Sequence, residues 1–344
     1  MHTFYYPGHI QHDPAQMHRS DTLFQNRFYG EVPQRGQLIF NALQAAKLGP
    51  ITSAGDFSID TIGEIHEYGL LNLLQNAHER MANEAESQLA LPNTFSKFAL
   101  RHKPQSVWGQ LGCYAFDTAS PIFEHTWETA YWAVQTAVSA AALVHAQGSK
   151  VAYALCRPPG HHAGPNFYGG GCYLNNTAVA AQWLVQQGQR VAILDLDYHH
   201  GNGTQMIFYG RSDALYCSIH ADPLHEYPYY WGYADEYGEG SGKGYNYNFP
   251  LPRSSTEIVY LAALEEALNR IRFYVPDILI VSLGVDIIQG DPIGGFQIEA
   301  GILRQIGKAI AALRLPSVVV QEGGFNLENL GQLVVTFFNG LLGK

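Results

Sequence analysis

The chain has 344 residues, of which 47% are hydrophobic and only 15% charged, against ~25% charged in an average globular protein. A sizeable core can form, and a disordered or purely solvating polypeptide is excluded. The net charge of −10 with neutral histidines argues against non-specific nucleic-acid binding, which needs basic patches, and suits a cationic ligand.

Taken in chain order, the first residues, Met1–Pro7, have neither a basic nor an apolar leader segment, so no signal peptide is expected. No apolar run reaches the ~18 residues of a membrane span. Residues 1–40 are polar, carry few helical signals and read as a surface wrap. Cys113, Cys156, Cys172 and Cys217 lack CxxC spacing. Reduced thiols in a cytoplasmic protein are expected.

Thr126–Ala146 is Ala-rich and helical in composition. Beyond it, short β-branched runs at Val151–Leu155, Val191–Leu196, Ala214–Ile219, Asp277–Leu283 and Pro316–Gln321 alternate with helical stretches. Those stretches are Asn176–Gln187, Thr256–Tyr274, Glu299–Leu313 and Leu327–Leu341. Near-continuous apolar strands between helices predict an α/β fold, a single-domain open parallel sheet flanked by helices on both faces. Gly169–Gly171 and Gly232–Gly244 read as loops within it, and no domain boundary is evident. In such sheets the working residues lie just past the carboxyl ends of the strands.

After the second of these runs comes Asp195-Leu196-Asp197-Tyr198-His199-His200-Gly201-Asn202. In an extended segment Asp195, Asp197 and His199 fall on one face. Two carboxylates and an imidazole suit a divalent metal. A buried, hydrogen-bonded acidic cluster is the alternative, but no cationic partner is local. Asp286, past Asp277–Leu283, could complete a two-carboxylate, one-histidine set with an open position for water and substrate; alone it would read as a helix cap or loop acid. After Val151–Leu155 the string Arg157-Pro158-Pro159-Gly160-His161-His162 forces a sharp loop. Its tandem histidines are candidate proton shuttles, with a surface His-His pair as the rival reading. Glu322-Gly323-Gly324-Phe325-Asn326 permits close backbone approach and is a weak signal by itself.

Together RPPGHHAG (157–164), DLDYHHGNGTQ (195–205), SLGVDIIQGDPIGGF (282–296) and EGGFN (322–326) resemble the histone deacetylase and acetylpolyamine amidohydrolase superfamily. The resemblance implies an arginase/deacetylase-like fold over residues 1–344 and a zinc-dependent amidohydrolase. It implies Asp197, His199 and Asp286 as zinc ligands, with Fe(II) able to share such a site. His162 would be general base and acid, His161 its partner oriented by Asp195, and Asn202 would sit beside His162. A structural potassium site would use Asp195, Asp197, His199, Ser218 and Ile219. Arginases carry a further acid two residues before the position of Asp286; here it is Gly284, which argues for one catalytic metal and against a binuclear ureohydrolase.

Phe28-Tyr29-Gly30-Glu31 and Trp108–Pro121 resemble the acetylpolyamine branch more than the protein-deacetylase branch. That implies a small cationic acetylated amine as substrate, with an acetyl-lysine protein as the alternative, and no nucleic-acid or membrane partner. It also implies a homodimer, with residues 15–35 as a dimer and tunnel loop. Asp117, Tyr168, Gly170 and Tyr227 are the implied substrate-binding residues; for Asp117 a solvated loop acid is the rival reading. Two departures stand out. Gly171 replaces an aromatic tunnel wall, and Phe325 replaces a tyrosine that donates to the oxyanion. Losing such a donor costs on the order of 10²–10³ in rate. Either the chain is an engineered Tyr→Phe form or the natural protein is a weak enzyme or an acetylamine-binding protein; the intact ligand set and histidines favour the first.

Overall fold

The computed structural model describes residues 1–15, 29–85, 87–96 and 102–344. Eight parallel strands form one sheet: β1 (His2–Tyr5), β2 (Ile51–Thr52), β3 (Val151–Leu155), β4 (Val191–Asp195), β5 (Ala214–Ala221), β6 (Asn246–Leu251), β7 (Ile278–Leu283) and β8 (Ser317–Gln321). Their order is β2-β1-β3-β8-β7-β4-β5-β6. The chain leaves β3, crosses two strand positions to β4, runs outward through β5 and β6, then returns to fill the gap with β7 and β8. The centre of the sheet is therefore a place where strand order reverses, and loops part there to leave a crevice.

The apolar runs are continuous because both faces are covered. Val191 and Ile193 of β4 join Ala152, Ala154, Ile280 and Val320 in a core under helices Thr126–His145 and Asn176–Gln186. Ala192 and Leu194 join Tyr153, Leu279, Val281 and Val319 in a second core under Glu257–Tyr274, Ile302–Ala311 and Leu330–Leu341. The period-two alternation thus feeds two cores instead of a core and solvent. At about 25 cal/mol per Å² of apolar surface removed from water, this double burial fixes the strand ends on which a polar site can be built.

The polar N-terminal stretch departs from expectation. Residues 2–5 are not a surface wrap but strand β1, paired to β2 and β3, and Pro33–Ala45 is a helix packed on the second core. Of the expected loop 15–35, residues 16–28 lie outside the described residues, as does Phe28. Cys156, Cys172 and Cys217 are buried and all four cysteines are unpaired. No helix among the described residues is long and apolar enough to cross a membrane.

Candidate active site

The carboxyl ends of β3, β4, β7 and β8 converge on a cavity of about 460 Å³. Asp197 and His199 follow β4, and Asp286 follows β7, its neighbour in the sheet. One ligand atom from each lies within 4.8 Å of the other two, and all three residues are buried. His199 Nδ1 stands 3.5 Å from Asp197 and 3.7 Å from Asp286, and Asp286 Oδ2 is buried without a hydrogen-bond partner. Burial and the neighbouring Asp197 push Asp286 up to about 7. Burial also works against ionised Asp197, yet His161 and His199 outweigh it and hold its carboxyl low. An orphaned buried acceptor beside a carboxylate and an imidazole is the donor set of a divalent metal site.

The backbone keeps room for it. A Cβ on Gly284 would stand 2.3 Å from Asp197 Oδ2 and 2.6 Å from Asp286 Oδ1, and one on Gly323 would stand 2.3 Å from Asp286 Oδ2. The position that lacks the second arginase-type acid is thus also one that no side chain can fill. Backbone N–H groups aim the ligands: Gly323 donates to Asp197 (2.7 Å), His199 to Asp197 (3.0 Å) and Tyr198 to Asp286 (3.0 Å).

The tandem histidines stand beside this cluster in opposite states. His161 Nδ1 donates to Asp195 (3.1 Å), and its Nε2 lies 3.8 Å from Asp197. Burial disfavours its charge, but Asp197 and Asp195 prevail and raise it to about 10. His162 Nδ1 donates to Asn202 Oδ1 at 2.7 Å. Burial and the charges of His161 and His199 hold it well below its ordinary value. A neutral ring with Nδ1 occupied has Nε2 as its basic atom. Two adjacent imidazoles, one cationic and one neutral, are an arrangement for polarising and moving a proton.

Glu322, part of a weak signal in the sequence, holds the histidine loop. Its Oε2 accepts from the N–H groups of Gly160 (2.7 Å) and His161 (3.2 Å), and its Oε1 from Thr177 and Ser282. Burial, opposed by His161, pushes it up to about 7. Arg35 has no place among the sequence motifs, yet it ties Glu31 and Arg157 to this loop. Arg35 donates to the backbone carbonyls of Gly324 (2.7 Å) and Glu322, and its guanidinium lies 4.5 Å from the centre of the Phe325 ring. Glu31 pairs with Arg157 (2.8 Å) and Arg35 (3.2 Å), all of them buried. The (i, i+4) spacing of Glu31 and Arg35 on a helix start was the available signal.

Of the expected substrate-binding residues, three meet at the cavity. Asp117 Oδ2 accepts from Gly170 N–H (2.9 Å) and the Tyr227 hydroxyl (2.8 Å), and Tyr227 packs 5.0 Å from His162 and 5.9 Å from His199, ring to ring. Tyr168 does not join them. It is fully buried in the core beside Tyr173, away from the cavity, because its backbone bridges to Tyr114 and Phe116 and turns the ring inward. Phe325 lines the cavity. Among the described residues a Cβ at Gly171 would meet only Glu31, at 3.8 Å, and Tyr29, Gly30 and Glu31 form that side of the wall. Ser218 and Ile219 lie on β5, with Ser218 in register with Asp195.

A family model for the histone deacetylase domain matches residues 29–341, and the chain belongs to this family. Within it, the chain is 44% identical to acetylpolyamine amidohydrolase 1 of Pseudomonas aeruginosa over 317 residues, 91% of each chain. It is 40% identical to the acetylpolyamine amidohydrolase of Burkholderia pseudomallei over 344 residues, covering 99% of this chain and 98% of that one. The crystal structure of acetylpolyamine aminohydrolase from Burkholderia pseudomallei superposes with a TM-score of 0.93 over 99% of this chain and 98% of that chain. The HDA15 HD domain, 24% identical, shares the fold with a TM-score of 0.82 over 99% of this chain and 88% of that one.

Proposed function

We propose that residues 1–344 form one catalytic domain that removes the acetyl group from N-acetylated polyamines, using a single zinc ion. The observation that carries the reading is His162, bonded through Nδ1 to Asn202 Oδ1 so that Nε2 is its free ring atom, beside the Asp197–His199–Asp286 cluster in one cavity. The relatives named for acetylpolyamines, similar over nearly the whole chain, support the substrate class. The chain's net charge of −10 favours a cation.

Zinc held by Asp197, His199 and Asp286 would supply a Lewis acid and a bound water of lowered pKa. His162 then takes a proton at Nε2 and returns it to the departing amine nitrogen. His161, held by Asp195 through its Nδ1–H, stabilises negative charge next to the reacting acyl group. Asn202 fixes the His162 tautomer, and Glu322 holds the loop that carries both rings. Asp117 aligns Gly170 and Tyr227 at the mouth. Phe325 fills the place of an oxyanion donor without a hydroxyl, so this chain is slow relative to a tyrosine form. A potassium ion among Asp195, Asp197, His199, Ser218 and Ile219, a homodimer and a cytoplasmic setting complete the reading.

The test is turnover of N-acetylputrescine and of an acetyl-lysine peptide by the zinc-loaded chain and its Phe325→Tyr variant. Tyrosine is expected to raise the rate by about 10²–10³, with the polyamine preferred. A preference for the peptide overturns the substrate assignment. Equal, slow rates in both chains overturn the role given to position 325.

A further inference from the structure

Beside Tyr227, which lines the cavity, stands a run of aromatic rings, of which Tyr229 and Tyr230 face largely into solvent. Residues 222–239 hold six aromatic side chains and five carboxylates but no Lys or Arg. The Tyr229 ring lies 6.2 Å from Tyr227 at an interplanar angle of 79°, and Tyr230 lies 6.4 Å beyond it. Tyr229 is 50% exposed and Tyr230 75%. Tyr229 also sits at φ 64, a left-handed conformation that L residues with bulky side chains rarely adopt. Its N–H donates to Glu226 (3.1 Å), and its carbonyl accepts from the Tyr233 hydroxyl at 2.6 Å. The fold therefore restrains a large ring in a strained backbone and leaves the ring half in solvent.

The reach of a substrate matches its position. A fully extended chain advances about 3.5 Å for every three bonds. An acetylated diaminobutane has seven bonds from carbonyl oxygen to distal ammonium, which gives about 8 Å on the same scale. The Tyr227 ring lies 5.9 Å from that of His199, and Tyr229 lies 6.2 Å from Tyr227. With its acyl end at the ligand cluster, a chain directed past Tyr227 therefore brings its ammonium within the ~6 Å of a cation–π contact with Tyr229.

We propose that the exposed face of Tyr229 receives the distal ammonium of the substrate. It acts in the acidic field of its own segment and selects cationic over neutral acylamines. The assignment rests on the acetylpolyamine reading above and adds the residue that senses the far end of the chain.

Calorimetric binding to the zinc-loaded chain tests it with N-acetylputrescine and with N-pentylacetamide, the neutral counterpart of equal length. The parent chain prefers the cation. Tyr229→Ala weakens N-acetylputrescine about 5- to 30-fold and leaves N-pentylacetamide unchanged. Tyr229→Leu, which keeps bulk without a π face, behaves like Tyr229→Ala, and Tyr229→Phe behaves like the parent; thermal melting of each variant checks folding. Equal weakening of both amides, or unchanged affinity for the cation in Tyr229→Ala, overturns the role of Tyr229 alone. Binding of neither amide by the parent overturns the acetylpolyamine reading and this assignment with it.

Discussion

The floor of the cavity and its wall beside Gly171 are built by different means. The floor hangs on four adjacent strand ends, and every ligand carboxylate accepts from a backbone N–H. The wall is assembled from segments far apart in the chain: residues 29–31, the Asp117 loop and Gly170–Gly171. On the floor a missing side chain is a spatial necessity. On the wall, among the described residues, a side chain would meet only an ordinary contact with Glu31. The same residue type, glycine, therefore has opposite meanings in the two places.

Substituting one glycine in each region sharpens the contrast. The largest effect is expected from Gly284→Ala, whose Cβ would stand 2.3 Å from Asp197 Oδ2 and 2.6 Å from Asp286 Oδ1. The two carboxylates must part, so zinc content and turnover should both fall to background. Elemental analysis beside an activity assay checks it, and a fully loaded variant would sink the account of the floor.

A middle-sized effect concerns the support of the histidine loop. His66 Nδ1 donates to the Gly164 carbonyl (2.9 Å), and its Nε2 accepts from Asn175 N–H (2.9 Å). The bond from Asn175 needs the neutral ring, because a protonated Nε2 cannot accept. Burial, partly offset by the Gly164 bond, lowers His66 to about 4, against an ordinary value of about 6.5. The unfolded chain thus takes up a proton that the fold refuses. The resulting stability is present above about pH 6.5 and is lost as pH falls toward 4, by up to about 3 kcal/mol. Denaturant titration from pH 7 to 4 should show a shallower decline in His66→Gln than in the parent; parallel curves would remove His66 from the acid sensitivity.

The smallest effect is expected on the wall. Gly171 has φ 78, and among the described residues a Cβ there meets only Glu31, at ordinary contact distance. Gly171→Ala should cost about 1–2 kcal/mol from the left-handed backbone alone, seen as a modest drop in melting temperature, with zinc content intact. Loss of the metal in this variant would erase the distinction between wall and floor.

The same division decides what could be read from the sequence. Strands β3, β4, β5, β7 and β8 were legible because both faces are buried and their apolar runs are uninterrupted. Asp197, His199, Asp286, His161 and His162 were legible because each sits within a few residues of such a run. Strand β1 was not: it has four residues, and its burial alternates, so pairing with β2 and β3 alone makes it a strand. The Glu31–Arg35–Arg157 network was hidden because two of its members are 126 residues apart in the chain. Tyr168 misled for a related reason. Proximity to the Gly169–Gly171 loop suggested the wall, and only a backbone bridge to a distant segment sends its ring into the core.

All strands of the sheet run one way, so the molecule has a working end and an idle end. The turns that enter β3, β4, β5 and β8 lie at the idle end, where Gln147, Gly148, Gln187, Gly188, Ser212, Asp213 and Arg314 are exposed. Exposed turns of this kind accept insertions and new termini readily. A tag, a tether or a fused partner placed there would sit across the full thickness of the sheet from the chemistry, and the protein could be anchored by one end while it turns over substrate at the other.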